Sequence, residues 1–120
     1  MDRAAALGLW GDVLTAGVRA DGPDLSARQT AILLRIYRDA GPHTVTAIAE
    51  ALNLGKPAVS RAVDTLQGLG LLQRHRDEGD LRSMPVTLTA QGWTHIAELG
   101  DLILACQAPP SAAGANQDAA

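Results

Sequence analysis

The stretch "GKPAVSRAVDTLQGLGLLQR", residues 55–74, predicts a helix followed by a tight exit. Its apolar side chains recur at steps of three and four residues, as on the buried face of an amphipathic helix: Val59, Ala62, Val63 and Leu66. Pro57 lies in the first turn, where its missing amide would have no partner in any case. Gly68 and Gly70 supply the backbone freedom with which the chain leaves the helix.

Two longer helices are predicted before residue 42. The apolar residues of the first recur at the same helical spacing: Leu7, Trp10, Leu14 and Val18. The segment "ADGPD", residues 20–24, ends it. The second begins at Ser26, whose distance from Gln29 is that of a capping box, and Gly41-Pro42 ends it. Its apolar face contains four residues: Ile32, Leu33, Ile36 and Tyr37.

A short third helix is predicted between these and residue 55. Thr46 is its expected N-cap, and its apolar face carries Ile48, Ala49 and Leu52. It ends near Asn53-Leu54-Gly55. The third and fourth helices therefore form a pair separated by a tight turn.

After Gly70 the apolar period becomes that of a strand. "LLQRHR", residues 71–76, and "SMPVTLT", residues 83–89, predict a hairpin across the polar "DEGDL", with Leu72, Val86 and Leu88 toward the core. Pro85 removes one ladder donor and predicts an edge position. Thr89 is the expected cap of a last helix, whose apolar residues are Trp93, Ile96, Ala97, Leu99, Ile103 and Leu104.

This order of elements predicts a winged helix-turn-helix, a mainly α fold with a small β-hairpin (α+β). We divide the chain into an N-terminal helix (1–24), the winged helix-turn-helix (25–89), a C-terminal helix (90–107) and a disordered tail (108–120). In such folds the second helix of the pair enters the major groove of DNA, its N-terminal residues toward the base edges.

Three polar residues fall at that N-terminal end and outside the apolar stripe: Lys56, Ser60 and Arg61. Arg61 offers a fork of donors to guanine or to phosphate, Ser60 offers a hydroxyl to either, and Lys56 offers a point charge. The alternative is that Lys56 and Arg61 only solvate an exposed helix face, as basic residues commonly do.

The predicted hairpin gathers further cations. Arg74, Arg76 and Arg82 lie on its two arms, where they could follow a DNA backbone or enter a minor groove. The tip is acidic, and we expect Asp80 to position an arginine rather than to touch DNA. Surface ion pairs, each of small energetic value, are the alternative for the three arginines.

Three segments, in this order, resemble the MarR family of bacterial transcription regulators: "LSARQTAILLRIY", "TVTAIAEALNLGKPAVSRAVDTLQGLGLLQR" and "DEGDLRSMPVTLTAQG". The similarity covers about residues 25–100. Its most specific parts are Ser60-Arg61, Gly70, the Asp80-x-Arg82 motif and "LTAQG". Two positions depart from the family pattern: Gly55 stands where a serine often caps the recognition helix, and Leu81 where a second wing arginine is common.

The single Cys106, and an N-terminus without the basic-then-apolar layout of a secretion signal, favour a cytoplasmic protein. The resemblance implies a homodimer that binds a roughly palindromic operator in double-stranded DNA and represses or activates nearby genes. It places the recognition helix, about 56–68, in the major groove, and the wing, about 71–89, with Arg82 in the minor groove. The complete set of expected DNA-binding residues is Thr44, Thr46, Lys56, Pro57, Ser60, Arg61, Thr65, Arg74, Arg76, Arg82 and Ser83.

The family dimer is held by the first helix and the last two, whereas this sequence has one C-terminal helix before the tail. The apolar candidates for a dimer interface are Leu7, Trp10, Leu14, Trp93, Leu99, Leu102 and Ile103, although packing within one subunit explains them equally well. Many family members release DNA when a small aromatic acid enters a crevice beside the DNA-binding part, and such an effector is kept here as a possibility.

Composition narrows the remaining classes of function. No nucleophile motif, phosphate loop or metal-ligand spacing occurs, so we expect no enzyme, no metal and no cofactor. The lone Cys106 has no basic neighbour in sequence, which favours an inert thiol. No apolar run approaches the roughly 20 residues of a membrane helix.

The net charge of −3 argues against a nucleic-acid partner when taken alone, but residues 55–82 carry five of the ten basic residues. The charge and the acidic tip leave one alternative open, a winged-helix module that binds protein rather than DNA. Another is a degenerate member that pairs with a relative and blocks it.

Overall fold

The computed structural model describes residues 1–76 and 84–107. These residues form five helices and one two-stranded antiparallel sheet, in the order α1 (Arg3–Arg19), α2 (Ala27–Arg38), α3 (Val45–Leu52), α4 (Lys56–Gly68), β1 (Leu72–Arg74), β2 (Val86–Leu88) and α5 (Ala90–Cys106). The predicted fold class and order of elements are confirmed. The predicted wing tip and the predicted tail, residues 108–120, lie outside the described residues.

The described residues divide into two compact units, one within residues 25–96 and one formed by residues 1–24 and 97–107. The larger unit has an aliphatic core, to which α2, α3, α4, both strands and the start of α5 contribute. Its fully buried large side chains are Ile32, Leu33, Ile48, Val59, Val63, Leu66, Leu72 and Val86. Each contributes roughly 1.5 to 3 kcal/mol relative to exposure, so this core supplies the main stabilisation of the unit.

Helix α2 begins as predicted with a capping box. Ser26 Oγ accepts from the Gln29 amide at 3.1 Å, and Gln29 Oε1 accepts from the Ser26 amide at 2.8 Å. Tyr37, which was expected on the apolar face with Ile36, is instead half exposed and packs edge-on against Trp93, with ring centroids 5.6 Å apart. The position leaves the phenol hydroxyl near water while the ring still covers apolar surface.

The predicted cap of α3 is wrong by two residues. Thr44 is the N-cap: its Oγ1 accepts from the Ala47 amide at 3.1 Å, and its backbone is extended. Thr46 is exposed in the first turn. A cap requires non-helical backbone angles, and only Thr44 of the two has them. The helix ends where predicted, with Asn53 in the left-handed region at φ 53°.

Helix α4 has the predicted buried stripe, and all four of its residues are buried. Its N-cap, Gly55, makes no side-chain hydrogen bond, and Pro57 lies in the first turn. Gly70 has φ 80°, a conformation that glycine adopts without strain and that turns the chain out of the helix into β1.

The strands are shorter than the predicted segments 71–76 and 83–89. Leu72 pairs with Leu88 and Arg74 with Val86. The His75 amide still donates to Pro85 O at 2.8 Å, but Pro85 has no amide to return a bond, so regular pairing stops there. Leu72 and Val86 are buried as expected, and Leu88 packs against the core while partly exposed.

Helix α5 begins at the predicted cap, Thr89. Its Oγ1 accepts from the Gly92 amide at 2.9 Å and donates to Gly70 O, so one hydroxyl connects the start of α5 with the exit from α4. A Cβ added at Gly92 would lie 2.2 Å from Leu71 O. The backbones therefore approach so closely here that no side chain fits at residue 92.

In the smaller unit, α1 begins with Asp2, whose side chain accepts from the Ala5 amide at 2.8 Å. Val13 is its buried residue. The predicted apolar stripe lies on the surface of the chain: Leu7, Trp10, Leu14 and Val18 are all at least half exposed. No helix in residues 1–76 and 84–107 is long and apolar enough to cross a bilayer.

Candidate nucleic-acid interface

The outer face of α4 carries the polar residues that the sequence placed there. Because Val59, Ala62, Val63 and Leu66 face the core, the remaining positions of the helix point away from it. Lys56, Arg61 and Thr65 are exposed and Ser60 is partly exposed. The buried stripe therefore fixes the rotation of α4 and presents a cationic N-terminal half to solvent.

Arg61 lies beside a second arginine that the sequence analysis missed. A cleft of about 200 Å³ between the N-terminus of α2 and the middle of α4 is lined by both Arg28 and Arg61, together with Ser26, Gln29, Ala58, Ala62 and Thr65. Two guanidinium groups at one cleft form a suitable surface for a phosphate. The sequence did contain a signal for Arg28. A cation in the first turn of a helix opposes the helix dipole, so Arg28 does not stabilise α2 and its position there points to another role.

Arg74 is held inside the unit rather than extended from it. Its Nη2 donates to Ser60 O and to Ser60 Oγ, both at 3.2 Å, and lies 2.9 Å from Asp64 Oδ1. Its amide also donates to Gln67 Oε1 at 3.1 Å. The residue predicted to follow a DNA backbone from β1 therefore contacts α4, and three of its four polar contacts are made by one nitrogen.

Arg76 is the exposed cation of the first wing arm. Beside it, His75 Nε2 and Thr87 Oγ1 share a hydrogen bond of 2.6 Å across the hairpin. Arg82 and Ser83, expected to enter the minor groove and to contact DNA, lie outside the described residues, as does Asp80. Of the predicted wing cations, Arg76 is therefore the one that the described residues place on the surface of the hairpin.

The predicted threonines differ in what their hydroxyls do. Thr44 Oγ1 is occupied by the cap of α3, and Thr65 Oγ1 donates to Arg61 O at 3.1 Å, one turn back along α4. Thr46 and Pro57 are exposed at the starts of their helices. Thr44 and Thr65 therefore remain able to accept a further hydrogen bond, although each already has a partner in the chain.

The described residues contain no group of three or more His, Cys, Asp or Glu side chains that could hold a metal ion. Cys106, a free thiol, is partly buried in the last turn of α5. The expected interface residues of the smaller unit are placed differently from one another: Leu7, Trp10 and Leu14 are exposed, whereas Leu99, Leu102 and Ile103 are partly buried.

Trp93, the remaining interface candidate, packs on Tyr37 and lines an apolar cavity of about 340 Å³. The cavity lies between the end of α2, the segment 41–43, β2 and the start of α5. Its polar side chains include Asp39 and His43, and His43 Nε2 is already hydrogen-bonded to Asp39 O at 2.9 Å.

Comparison with solved structures finds the same fold in proteins with low sequence identity. The YusO protein from Bacillus subtilis has a TM-score of 0.72 at 21% identity, over 88% of this chain and 72% of that chain. The S. aureus MepR-DNA complex has a TM-score of 0.67 at 21% identity, over 87% and 73%.

A third solved structure is more similar in sequence. The transcriptional repressor CouR, bound to a 23-mer DNA duplex, has a TM-score of 0.67 at 28% identity, over 85% of this chain and 69% of that chain. A comparison with proteins of curated function found no match.

The sequence model of the MarR family matches residues 24–83, which is half of the chain and includes α2, α3, α4 and β1. These elements supply most of the buried core and present the cationic face. The resemblance found in the sequence is therefore confirmed, and the chain belongs to the MarR family of transcription regulators.

Proposed function

We propose that the chain is a sequence-specific, double-stranded DNA-binding transcription regulator, with α4 in the major groove and the hairpin at the minor groove. The observation that carries the proposal is the exposed Arg61 on the outer face of α4, beside Arg28 at the same cleft. CouR and MepR, which share the fold, were each solved with DNA. Proteins of the MarR family are transcription regulators rather than enzymes.

The proposed contacts with DNA are of two kinds, those to base edges and those to phosphates. Arg61 is long enough and exposed enough to reach a base edge, where its fork of donors suits guanine O6 and N7. Lys56, Arg28 and Arg76 are exposed cations around it and suit phosphate oxygens, which fix register without reading sequence. Arg82 and Ser83 remain proposed contacts of the wing, and Thr44, Thr46, Pro57 and Thr65 proposed neighbours of the backbone.

The dependence of binding on salt tests the proposal. We expect purified protein to select duplexes from a random-sequence pool, and its affinity for them to fall steeply as salt rises. With three cations on phosphates in each chain, namely Lys56, Arg28 and Arg76, the slope of log K against log salt is about −3 per chain. Binding measured by fluorescence anisotropy between about 50 and 200 mM salt gives this slope.

The competing proposal, a winged-helix module that binds protein, predicts a different result. An apolar protein interface depends weakly on salt, because few charges are neutralised when it forms. No selected duplex, or a slope near zero, would contradict DNA binding and favour that module. Dimers without any selected duplex would favour the member that pairs with a relative and blocks it.

We further propose that the chain is a homodimer and that α1 contributes to the interface. Leu7, Trp10, Leu14 and Val18 follow one helical face and remain 50% to 77% exposed, which is a large apolar area for one helix to leave in water. Leu99, Leu102 and Ile103 on α5 are proposed to join them. A twofold symmetric dimer would match a roughly palindromic operator.

Replacing Leu14 with glutamate tests the dimer. We expect wild-type protein to sediment with the mass of two chains and Leu14→Glu to sediment as one chain at micromolar concentration, because a buried carboxylate disfavours an apolar interface. Leu69→Glu is the matched control: Leu69 is 44% exposed, close to the 50% of Leu14, but follows α4. A wild-type monomer, or equal effects of both variants, would contradict the proposal.

The cavity lined by Trp93 is the proposed place for a small aromatic effector. Its volume of about 340 Å³ is that of a small ligand site, and most of its lining is apolar, with Trp93 available for stacking. Its walls include β2, so a ligand there would contact the wing arm directly.

A further inference from the structure

Arg74 joins β1 to the recognition helix through a single nitrogen. Its Nη2 contacts three oxygens, namely Ser60 O, Ser60 Oγ and Asp64 Oδ1, at 3.2, 3.2 and 2.9 Å. Ser60 and Asp64 are one turn apart on α4, so the guanidinium spans that turn. The side chain of Arg74 is 25% exposed, and its Nε is buried with no hydrogen-bond partner among the described residues.

This arrangement is unfavourable for a residue that serves stability alone. A buried N–H without a partner loses its hydration, and an apolar side chain of similar size would fill the same space without that loss. Nη2 is bonded to α4 and Nε is buried, which leaves little of the guanidinium for a phosphate. The guanidinium instead holds the Ser60 side chain through the hydrogen bond to Ser60 Oγ.

The hydrogen bond from Arg74 determines in which direction the Ser60 hydroxyl can donate its own hydrogen. A hydroxyl has one hydrogen to donate, and an oxygen that accepts from Arg74 must direct that hydrogen elsewhere. Serines and threonines inside helices often donate to the carbonyl one turn back, as Thr65 does to Arg61 O. Within the described part of the chain, Ser60 Oγ donates no hydrogen bond, and its side chain is partly exposed on the outer face of α4.

We propose that Arg74 is a positioning residue that orients Ser60 so that the Ser60 hydroxyl donates a hydrogen bond to an acceptor on DNA. The expected acceptor is the N7 atom of a purine, because a hydrogen bond to a base edge carries sequence preference whereas one to phosphate does not. The inference rests on the proposed DNA-binding function. It assigns Arg74 a role in sequence preference without direct contact between Arg74 and DNA.

A double-mutant cycle tests the assignment. Ser60→Ala, Arg74→Met and the double variant are compared in an Asp64→Asn background, so that removing the guanidinium leaves no unpaired carboxylate beside the duplex. The probes are a duplex selected by the wild-type protein from a random pool and a scrambled duplex of equal length. We expect each single variant to lose about 2- to 10-fold in affinity for the selected duplex, and the double variant to lose no more than either.

Losses that multiply in the double variant would overturn the inference, because Arg74 would then act independently of Ser60. Equal losses on the selected and scrambled duplexes, with a smaller salt slope, would overturn it too, because Arg74 would be a phosphate contact. Arg76→Met is the matched control: it removes the same charge from an exposed residue of the same arm, and we expect that uniform loss. Wild-type protein that binds no duplex would instead overturn the proposed function together with this inference.

Two further measurements keep the test decisive if Arg74→Met does not fold. Arg74→Lys keeps the charge but not the planar fork, so we expect it to lose preference for the selected duplex while the scrambled duplex is bound as before. The second uses wild type and Ser60→Ala with selected duplexes that carry 7-deazapurines one position at a time. One substitution should weaken the wild type about 2- to 10-fold and leave Ser60→Ala unaffected, which names the acceptor. Equal sensitivity of both proteins at every position would overturn the inference.

Discussion

Arg61→Ala should lower the affinity for a selected duplex by about 10- to 100-fold, the largest effect expected for any single residue of the proposed interface. Arg61 is exposed at the centre of the outer face of α4, and no described contact ties its guanidinium to the protein. A bidentate bond to guanine is worth about 1 to 3 kcal/mol, whereas one exposed phosphate contact is worth less and carries no sequence preference. The measurement is equilibrium binding to the selected duplex and to its single-base variants, where preference should relax at one or two positions.

Arg35→Ala is the matched control for this experiment. It removes the same charge from the same unit, but Arg35 lies on α2 and pairs with Asp39 at 3.2 Å. We expect its affinity and its base preference to stay close to those of the wild type. If Arg61→Ala and Arg35→Ala both bind like the wild type, α4 does not read DNA through Arg61.

Gly92→Ala should destabilise the fold by about 2 to 3 kcal/mol, the largest effect on stability expected for the loss or gain of one methyl group. The added Cβ would lie 2.2 Å from Leu71 O and 3.1 Å from Leu88 Cδ2. A flexible side chain can move aside, but Leu71 O accepts from the Thr89 amide and belongs to the backbone that leads into β1. The expected fall in Tm is roughly 10 °C, measured by circular dichroism or calorimetry.

Gly100→Ala, in the same helix, provides the comparison. A Cβ at residue 100 meets no atom within 4 Å, so the substitution should stabilise the protein by about 0.5 to 1 kcal/mol through higher helix propensity. Opposite signs at the two glycines would show that the close approach at Gly92, and not helix propensity, decides the result. An unchanged Tm for Gly92→Ala would mean that α5 does not lie against Leu71 as described.

The sequence predicted the fold because its signals are local and agree with one another. The stripe of α4, the capping box of Ser26 and Gln29, the cap at Thr89 and the break at Gly70 each predicted the same element boundaries that the structure has. The cap of α3 was misplaced because Thr44 and Thr46 are chemically equivalent. Only the backbone angles, which tertiary contacts help to set, distinguish them.

The candidate site was predictable where helical periodicity determines which way a residue faces. Lys56 and Arg61 are exposed for that reason. The direction of Arg74 depends instead on the packing of β1 against α4, with Ser60 and Asp64 at distances that no spacing in the sequence reveals. Arg28 was missed for a similar reason, because its cleft with Arg61 forms only when α2 packs beside α4.

The two faces of α4 have consequences for how operator preference can diverge among relatives. The inward face, from Val59 to Leu66, holds most of what the helix contributes to folding, and the outward positions 56 and 61 contribute little to it. In the proposed mode of DNA binding, a single substitution can therefore change base preference at position 61, or a phosphate contact at position 56, and leave the scaffold intact. Position 60 differs, because the Ser60 hydroxyl is bonded to Arg74, so a substitution there also removes a contact between α4 and β1. Among relatives that bind different operators, we therefore expect residues 56 and 61 to vary more than residue 60.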